Sequence, residues 1–367
     1  MTSKRSLFTP HFPSIWDIIY SEKDMEHKPE ILIKSFNRPY YLDRCLASIY
    51  RFCHGFSGIK VLDDGTPPKY IDKILQKYPE VKIVLSEQYE EKNKAIEENL
   101  QSSKEINGFK IPVKMWKDAV RHSTSFFVIT EDDVWFTTTI HLGELQQCMI
   151  AHRTDLLKLG NLGRIPKGAK EACGSDHIIY PELQLLTFPP KLAEAFFYNR
   201  FKFFSLLYKL KIVDNYTTGK YYELISILMG MYRKEYWLKL WEGIDQKVDE
   251  KRQLINASLH YRKHRDHPFL IGVLEHEKMK TTFQSSATNS YHKYGYDFDV
   301  NRFNSIMNEA WFNGNFDIFE NFPKDFSDDY FLKILSENPH PKTNPEEWKK
   351  WAARFKKQYG DMGCVVE

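Results

Sequence analysis

Phe126-Phe127-Val128-Ile129-Thr130-Glu131-Asp132-Asp133 is the stretch on which the reading of this chain turns. Its first five residues are aromatic or β-branched and show no polar alternation. That is the pattern of a strand covered on both faces, as in a parallel sheet. The strand runs straight into three consecutive acids. Adjacent like charges repel, and burial raises the cost of ionising them, so such a triplet at a buried strand exit calls for a compensating cation. A hard divalent ion, magnesium or manganese, suits a carboxylate set of this kind.

Working upstream, a helix is expected over Val113–Arg121, and the charged stretch from Glu87 to Lys110 reads as a mobile loop with a helical middle. Ile31–Phe36 is a short β-rich run that stops at Asn37-Arg38-Pro39, since proline disfavours helix at the residue before it. Tyr41–Phe52 has helical apolar spacing. The strand Ile59–Leu62 ends in the turn-forming Asp63-Asp64-Gly65-Thr66, Pro67-Pro68 opens the next helix, and Val81–Leu85 is a third strand. Strands alternating with helices imply right-handed crossovers and a mostly parallel α/β sheet. The polar clusters Ser35 to Arg38, Asp63-Asp64, Ser86-Glu87 and Glu131 to Asp133 all fall at carboxyl ends of strands, where such sheets bind ligands.

Downstream the pattern is less regular. Leu142–His152 is helical, and Ala193–Val213 reads as one aromatic, basic amphipathic helix. Leu224–Tyr232 is a buried strand or helix–strand junction, Lys234–Trp241 a short helix and Phe269–Glu275 another strand. Beyond about residue 300, a Trp- and Phe-rich sequence with scattered prolines suggests small helices packed on the surface. The rings and cations of Phe196–Lys211 fit either a peripheral membrane contact or packing against the core.

The 367 residues carry 52 Lys plus Arg against 49 Asp plus Glu, a net +3, which excludes a nucleic-acid binder driven by bulk charge. With 42% hydrophobic and 28% charged residues the chain is globular, and 26 Phe, 21 Tyr and 8 Trp imply a core built from large rings. Cys45, Cys53, Cys148, Cys173 and Cys364 are odd in number with no CxxC pair, so neither a disulfide framework nor a zinc knuckle is expected. The N-terminus lacks the apolar core of a secretory signal, and no apolar run reaches the roughly 18 residues of a membrane span, so a cytoplasmic location is expected, with membrane contact at most peripheral, at the inner face. In such a chain the sequons at Asn215 and Asn256 read as coincidental.

The strand followed by Asn37-Arg38-Pro39, the strand ending in Asp63-Asp64-Gly65-Thr66 and the strand ending in Glu131-Asp132-Asp133-Val134 together resemble the GT-A glycosyltransferases, most of all the inverting, family-two-like enzymes. The acidic motif is similar to that of manganese-dependent N-acetylglucosaminyltransferases. The resemblance is specific over 31–136, moderate to about 280, and absent before 29 and after about 300. It implies a GT-A-like mostly parallel sheet flanked by helices with a helical C-terminal region. The divisions would be an arm (1–28), a nucleotide-sugar-binding half (29–136), an acceptor-binding half (137–290) and the C-terminal region (291–367).

The resemblance also implies roles. Ser35, Asn37 and Arg38 would line the nucleotide pocket, and Asp63 or Asp64 would accept hydrogen bonds from uracil or ribose. Asp132 would face the ribose or sugar hydroxyls, while Lys110 or Lys114 would contact phosphate or donor sugar. Asp133 and His276 would hold Mn2+ or Mg2+; Glu131 is the weaker candidate, because alternation along an extended segment points it away from Asp132's face. A general base would come from Asp249, Glu250 or Asp245, with Asp249 first. The implied activity is transfer of a hexosyl or N-acetylhexosaminyl group from a nucleotide sugar, UDP-linked by preference, to a glycan or lipid-linked acceptor, with inversion. The alternatives are a silent carbohydrate- or nucleotide-binding protein on this fold, or a nucleotidyltransferase; the last would carry a Gly-rich, Arg/Lys-bearing loop that Ser35-Phe36-Asn37-Arg38-Pro39-Tyr40-Tyr41 lacks.

Overall fold

The computed structural model describes residues 27–366 except 105, 107–108, 227, 246–247 and 288–294. The arm of residues 1–28 therefore lies almost wholly outside the described residues.

Nine strands form the central sheet: β1 (Glu30–Ser35), β2 (Gly58–Asp63), β3 (Lys82–Leu85), β4 (Phe126–Glu131), β5 (Leu156–Lys158), β6 (Gly168–Cys173), β7 (Asp176–Pro181), β8 (Gly230–Arg233) and β9 (Ile271–Leu274). Their order is β3-β2-β1-β4-β8-β5-β9-β7-β6. Only β8 and β7 run against the rest. This is the mostly parallel α/β sheet that the resemblance to GT-A enzymes implied.

Alternation along the strands feeds two cores. Ile31, Ile33, Phe126 and Val128 point to one side, and Leu32, Phe127 and Ile129 to the other. Helices Pro39–Phe52 and Leu142–Ala151 cover the first side; Val113–Arg121, Pro190–Phe197, Lys234–Leu240 and Glu250–His264 cover the second.

Four expectations need correction. The helix expected in the middle of the 87–110 stretch is longer and earlier than that, taking the 14 residues Tyr89–Ser102. Its buried face is Tyr89, Lys92, Asn93, Ile96 and Asn99, so polar residues at helical spacing hid the amphipathic signal. The single helix expected over 193–213 is broken into Pro190–Phe197 and Phe203–Lys209, because Asn199, Phe201 and Lys202 take left-handed φ values of 50°, 55° and 55°. The helices after 300 (Val300–Phe312, Asp328–Glu337 and Pro345–Asp361) are not surface additions: Phe303, Met307, Trp348 and Trp351 sit in the same core as Tyr40 and Leu46. Their sequence shows an apolar stripe on each helix but not what the stripe meets.

The fourth concerns cysteine. Cys148, on Leu142–Ala151, forms a disulfide with Cys173 at the end of β6, with Cα atoms 6.1 Å apart. The partners are 25 residues apart, and only the sheet topology brings them together. Cys45, Cys53 and Cys364 are free. A disulfide of this kind is characteristic of oxidising compartments, which weighs against the cytoplasmic expectation. No helix among the described residues is long and apolar enough to cross a membrane.

Candidate active site at the carboxyl edge of the sheet

In-register pairing of Ser35 with Asp63 and of Lys34 with Glu131 sets the ends of β1, β2 and β4 side by side. Each polar cluster singled out in the sequence converges here, and each has a partner.

Arg38 is the hub. Buried at the start of the Pro39–Phe52 helix, it donates to Asp132 Oδ1 at 2.5 Å through one terminal nitrogen and to Asp133 Oδ2 at 2.8 Å through the other. Asp132 Oδ2 accepts the Phe36 backbone N–H at 3.0 Å. Asp133 Oδ1 is buried without a hydrogen-bond partner. Burial pushes both carboxyls above their usual range, and the Arg38 charge works against that push. Burial disfavours the Arg38 charge too, yet the two carboxylates hold its pKa above the ordinary arginine value. Glu131 pairs with Lys34 at 2.5 Å, and its charge adds to the upward push on both aspartates.

The neighbouring strand ends are largely bonded internally, although Asp64 Oδ1, Ser35 Oγ and Ser86 Oγ are, like Asp133 Oδ1, buried without a hydrogen-bond partner. Asp63 is fully buried and accepts the Gly65 and Thr66 backbone N–H groups at 3.0 and 2.7 Å and the Thr66 hydroxyl at 2.6 Å, so its carboxylate builds the turn. Asp64 Oδ2 accepts from Lys92 at 2.5 Å, and Lys92 also reaches the Lys110 carbonyl at 2.9 Å. Asn37 has a left-handed φ of 51°; it donates to Asn301 at 2.8 Å and accepts from Asn308 at 3.1 Å. Ser35 is buried at the end of β1. Lys114 is exposed and pairs with Glu87, while Lys110 contributes its carbonyl.

The three acids considered for the base differ in their surroundings. Asp245 is exposed and pairs with Lys117 at 2.6 Å. Asp249 is the N-cap of Glu250–His264, accepting the Arg252 N–H at 2.9 Å and the Tyr198 hydroxyl at 2.6 Å. Its burial acts upward, but these donors outweigh it and bring the pKa below the usual value. Glu250 is exposed and accepts the Tyr222 hydroxyl at 2.8 Å.

Tyr359, on Pro345–Asp361, packs its ring against Phe283 and Phe355. Its phenol pKa is raised by burial first, then by the Cys364 thiol and the carboxylates of Glu131, Asp133 and Glu250. Sequence reasoning missed Tyr359 and Lys92, and nothing local in the sequence marks either one. The ion-pair role of Arg38 was also missed, although a lone arginine two residues past a strand end, with three acids elsewhere, is a signal of sorts.

His276 does not join the cluster as a formed ligand set. Its ring is exposed just after β9, and among the described residues no three His, Cys, Asp or Glu side chains come together as a metal-binding group. The segment after it does return to the site: Thr281 pairs with Val134, and the Thr282 N–H donates to the Asp133 carbonyl at 3.3 Å. The donor set nonetheless fits a magnesium-type ion in one respect. The orphaned Asp133 Oδ1 is a free carboxylate oxygen, and such ions are commonly held by one or two carboxylates, with substrate phosphate and water completing the shell.

No protein-family model and no curated protein matches the sequence. Among solved structures, the chain is similar to S. aureus TarS (residues 1–349) in complex with UDP-GlcNAc, at 14% identity and TM-score 0.41, over 84% of this chain and 71% of that one. It is similar to glucosyl-3-phosphoglycerate synthase from Mycobacterium tuberculosis with Mn2+, UDP-glucose and glycerol 3-phosphate, at 10% identity and TM-score 0.36, over 84% and 88%. A third is 4-diphosphocytidyl-2C-methyl-D-erythritol synthase from Anaerococcus prevotii DSM 20548, at 10% identity and TM-score 0.34, over 74% and 95%. At these values the likeness carries no argument about function.

Proposed function

We propose that this chain is a glycosyltransferase that moves a hexosyl or N-acetylhexosaminyl group from a nucleotide sugar, UDP-linked by preference, to an acceptor hydroxyl with inversion. The observation that carries the reading is the Asp132–Asp133 pair at the carboxyl edge, clamped by Arg38 with one Asp133 oxygen left over. The likenesses to TarS and to glucosyl-3-phosphoglycerate synthase accord with it and add no weight.

In this reading Asp133 Oδ1 would hold Mn2+ or Mg2+. The ion, when bound, supplies the positive charge that stabilises the departing nucleoside diphosphate. Arg38 fixes both aspartates so that neither needs to reorganise, and the β1 and β2 ends with Asn37 and Asp64 wall the nucleotide side. Glu250 is a better base than Asp249, both of whose oxygens are engaged in capping and in the Tyr198 bond. Glu250 takes the proton from the acceptor hydroxyl, whose oxygen bonds to the anomeric carbon as the bond to the diphosphate breaks. Tyr222 orients the Glu250 carboxylate.

A second reading, a nucleotide- or carbohydrate-binding protein without transfer, is favoured by the Arg38 guanidinium standing where added positive charge was expected. Thermal unfolding with UDP and UDP-sugars, in manganese, magnesium or EDTA, followed by assay of UDP release, separates the two. Stabilisation by UDP that requires metal, with turnover, supports the transferase. Stabilisation without turnover under any acceptor supports the binding protein, and no response to any nucleotide removes both nucleotide readings.

A further inference from the structure

The segment between Asn199 and Thr217 packs one side and leaves the other bare. Leu207 and Val213 enter the core, while Phe201 is 97% exposed, with Leu206, Tyr208, Leu210, Ile212 and Tyr216 also out. Of fifteen large hydrophobic residues exposed among the described residues, these six fall within sixteen positions. Scattered apolar exposure is ordinary, but such concentration marks an interaction surface. The backbone reinforces the point. Phe201 and Lys202 hold left-handed conformations, unfavourable for such side chains, and the turn Arg200–Lys202 buries nothing in return.

Charge identifies the partner. Lys202, Lys209 and Lys211 are exposed and make no ion pair among the described residues. The acids of the region are already engaged: Glu194 by Arg200 and Arg252, and Asp214 by the Tyr216 N–H and the Thr217 hydroxyl. Lys209, Lys211 and Lys220 line a groove of about 700 Å³ beside the rings. Free cations interleaved with protruding apolar tips complement an anionic bilayer surface, where rings enter the acyl boundary and lysines stay at the phosphates.

We propose that residues 199–217 dock this protein onto a membrane surface bearing anionic phospholipid. The bond from Tyr198 to Asp249 places the start of that segment next to the start of the Glu250–His264 helix. Docking stands whether or not the chain is a transferase, because vesicle binding is read without any activity.

The test is flotation of the full chain with vesicles of phosphatidylcholine alone or mixed with phosphatidylglycerol, for the wild type, Phe201→Asp and Lys202→Glu/Lys209→Glu. Both variants change exposed side chains, and thermal unfolding checks that they fold. The expected result is binding to the mixed vesicles only, weakened by added salt and reduced about tenfold or more in each variant. Absence of binding to mixed vesicles, equal binding to neutral ones, or binding unchanged in both variants would overturn the proposal. So would light scattering that shows Phe201→Asp converting a dimer to a monomer, since the patch would then be a contact between copies.

Discussion

Arg38 grips Asp133 through one carboxylate oxygen and leaves the other, also buried, unbonded. An ion-pair partner that satisfied the whole carboxylate would make a purely structural motif. Asp133→Asn keeps shape and removes the charge. With UDP and manganese at about 100-fold over Kd, the wild type should gain about 2.7 kcal/mol of stability, and the variant should lose the metal-dependent part of that gain. An unchanged metal-dependent shift in Asp133→Asn would take Asp133 out of the metal site.

Removing Arg38 should be severe. Arg38→Met leaves two buried carboxylates uncompensated, a loss of about 3–5 kcal/mol in denaturant unfolding, and adding Asp132→Asn should recover part of it. The pH dependence has a definite sign. Burial already raises both carboxyls, and losing Arg38 raises them further. The folded variant then keeps protons that the unfolded chain releases above about pH 4, so its stability falls as pH rises from about 4 toward 7. A flat profile for Arg38→Met would contradict this.

The two acids at the start of the Glu250–His264 helix should separate by role. Asp249→Ala should cost about 1 kcal/mol, whereas Asp249→Asn, an equally good cap, should cost little and retain turnover. Glu250→Gln should leave stability unchanged and lower kcat by about 10²–10⁴. Reversal of that pattern in UDP-release kinetics would return the base assignment to Asp249.

Closing the 25-residue loop between Cys148 and Cys173 should contribute about 3 kcal/mol. Cys148→Ser/Cys173→Ser should lose that amount, and thiol titration of the unfolded, unreduced wild type should find three of the five cysteines free. Five reactive thiols in protein handled without reductant would show that the bridge does not form.

Part of the sheet was readable because its strands are short, rich in β-branched residues and end in polar turns, and Phe126–Thr130 and the helix Val113–Arg121 fall where strand composition and periodicity put them. The meeting of Ser35, Asp63 and Asp132 at one edge followed from alternation alone. What stayed hidden depends on long-range partners. Lys92 looks like a solvated lysine until Asp64 is opposite it, and Tyr359 looks like one more ring on a Trp-rich helix until burial and the fields of distant carboxylates raise its phenol pKa. The cap role of Asp249 was within reach, since an Asp before an apolar-periodic run is a standard helix start.

Asn37, in the first loop, is bonded to Asn301 across 264 positions of sequence, and Asn308 closes the same knot. A chain leaving the ribosome at roughly 5–20 residues per second makes Asn37 on the order of 10–50 s before its partners exist. The loop beside Arg38 must wait out most of synthesis before it can settle, so a truncated product that stops before residue 300 would hold strands but no finished edge.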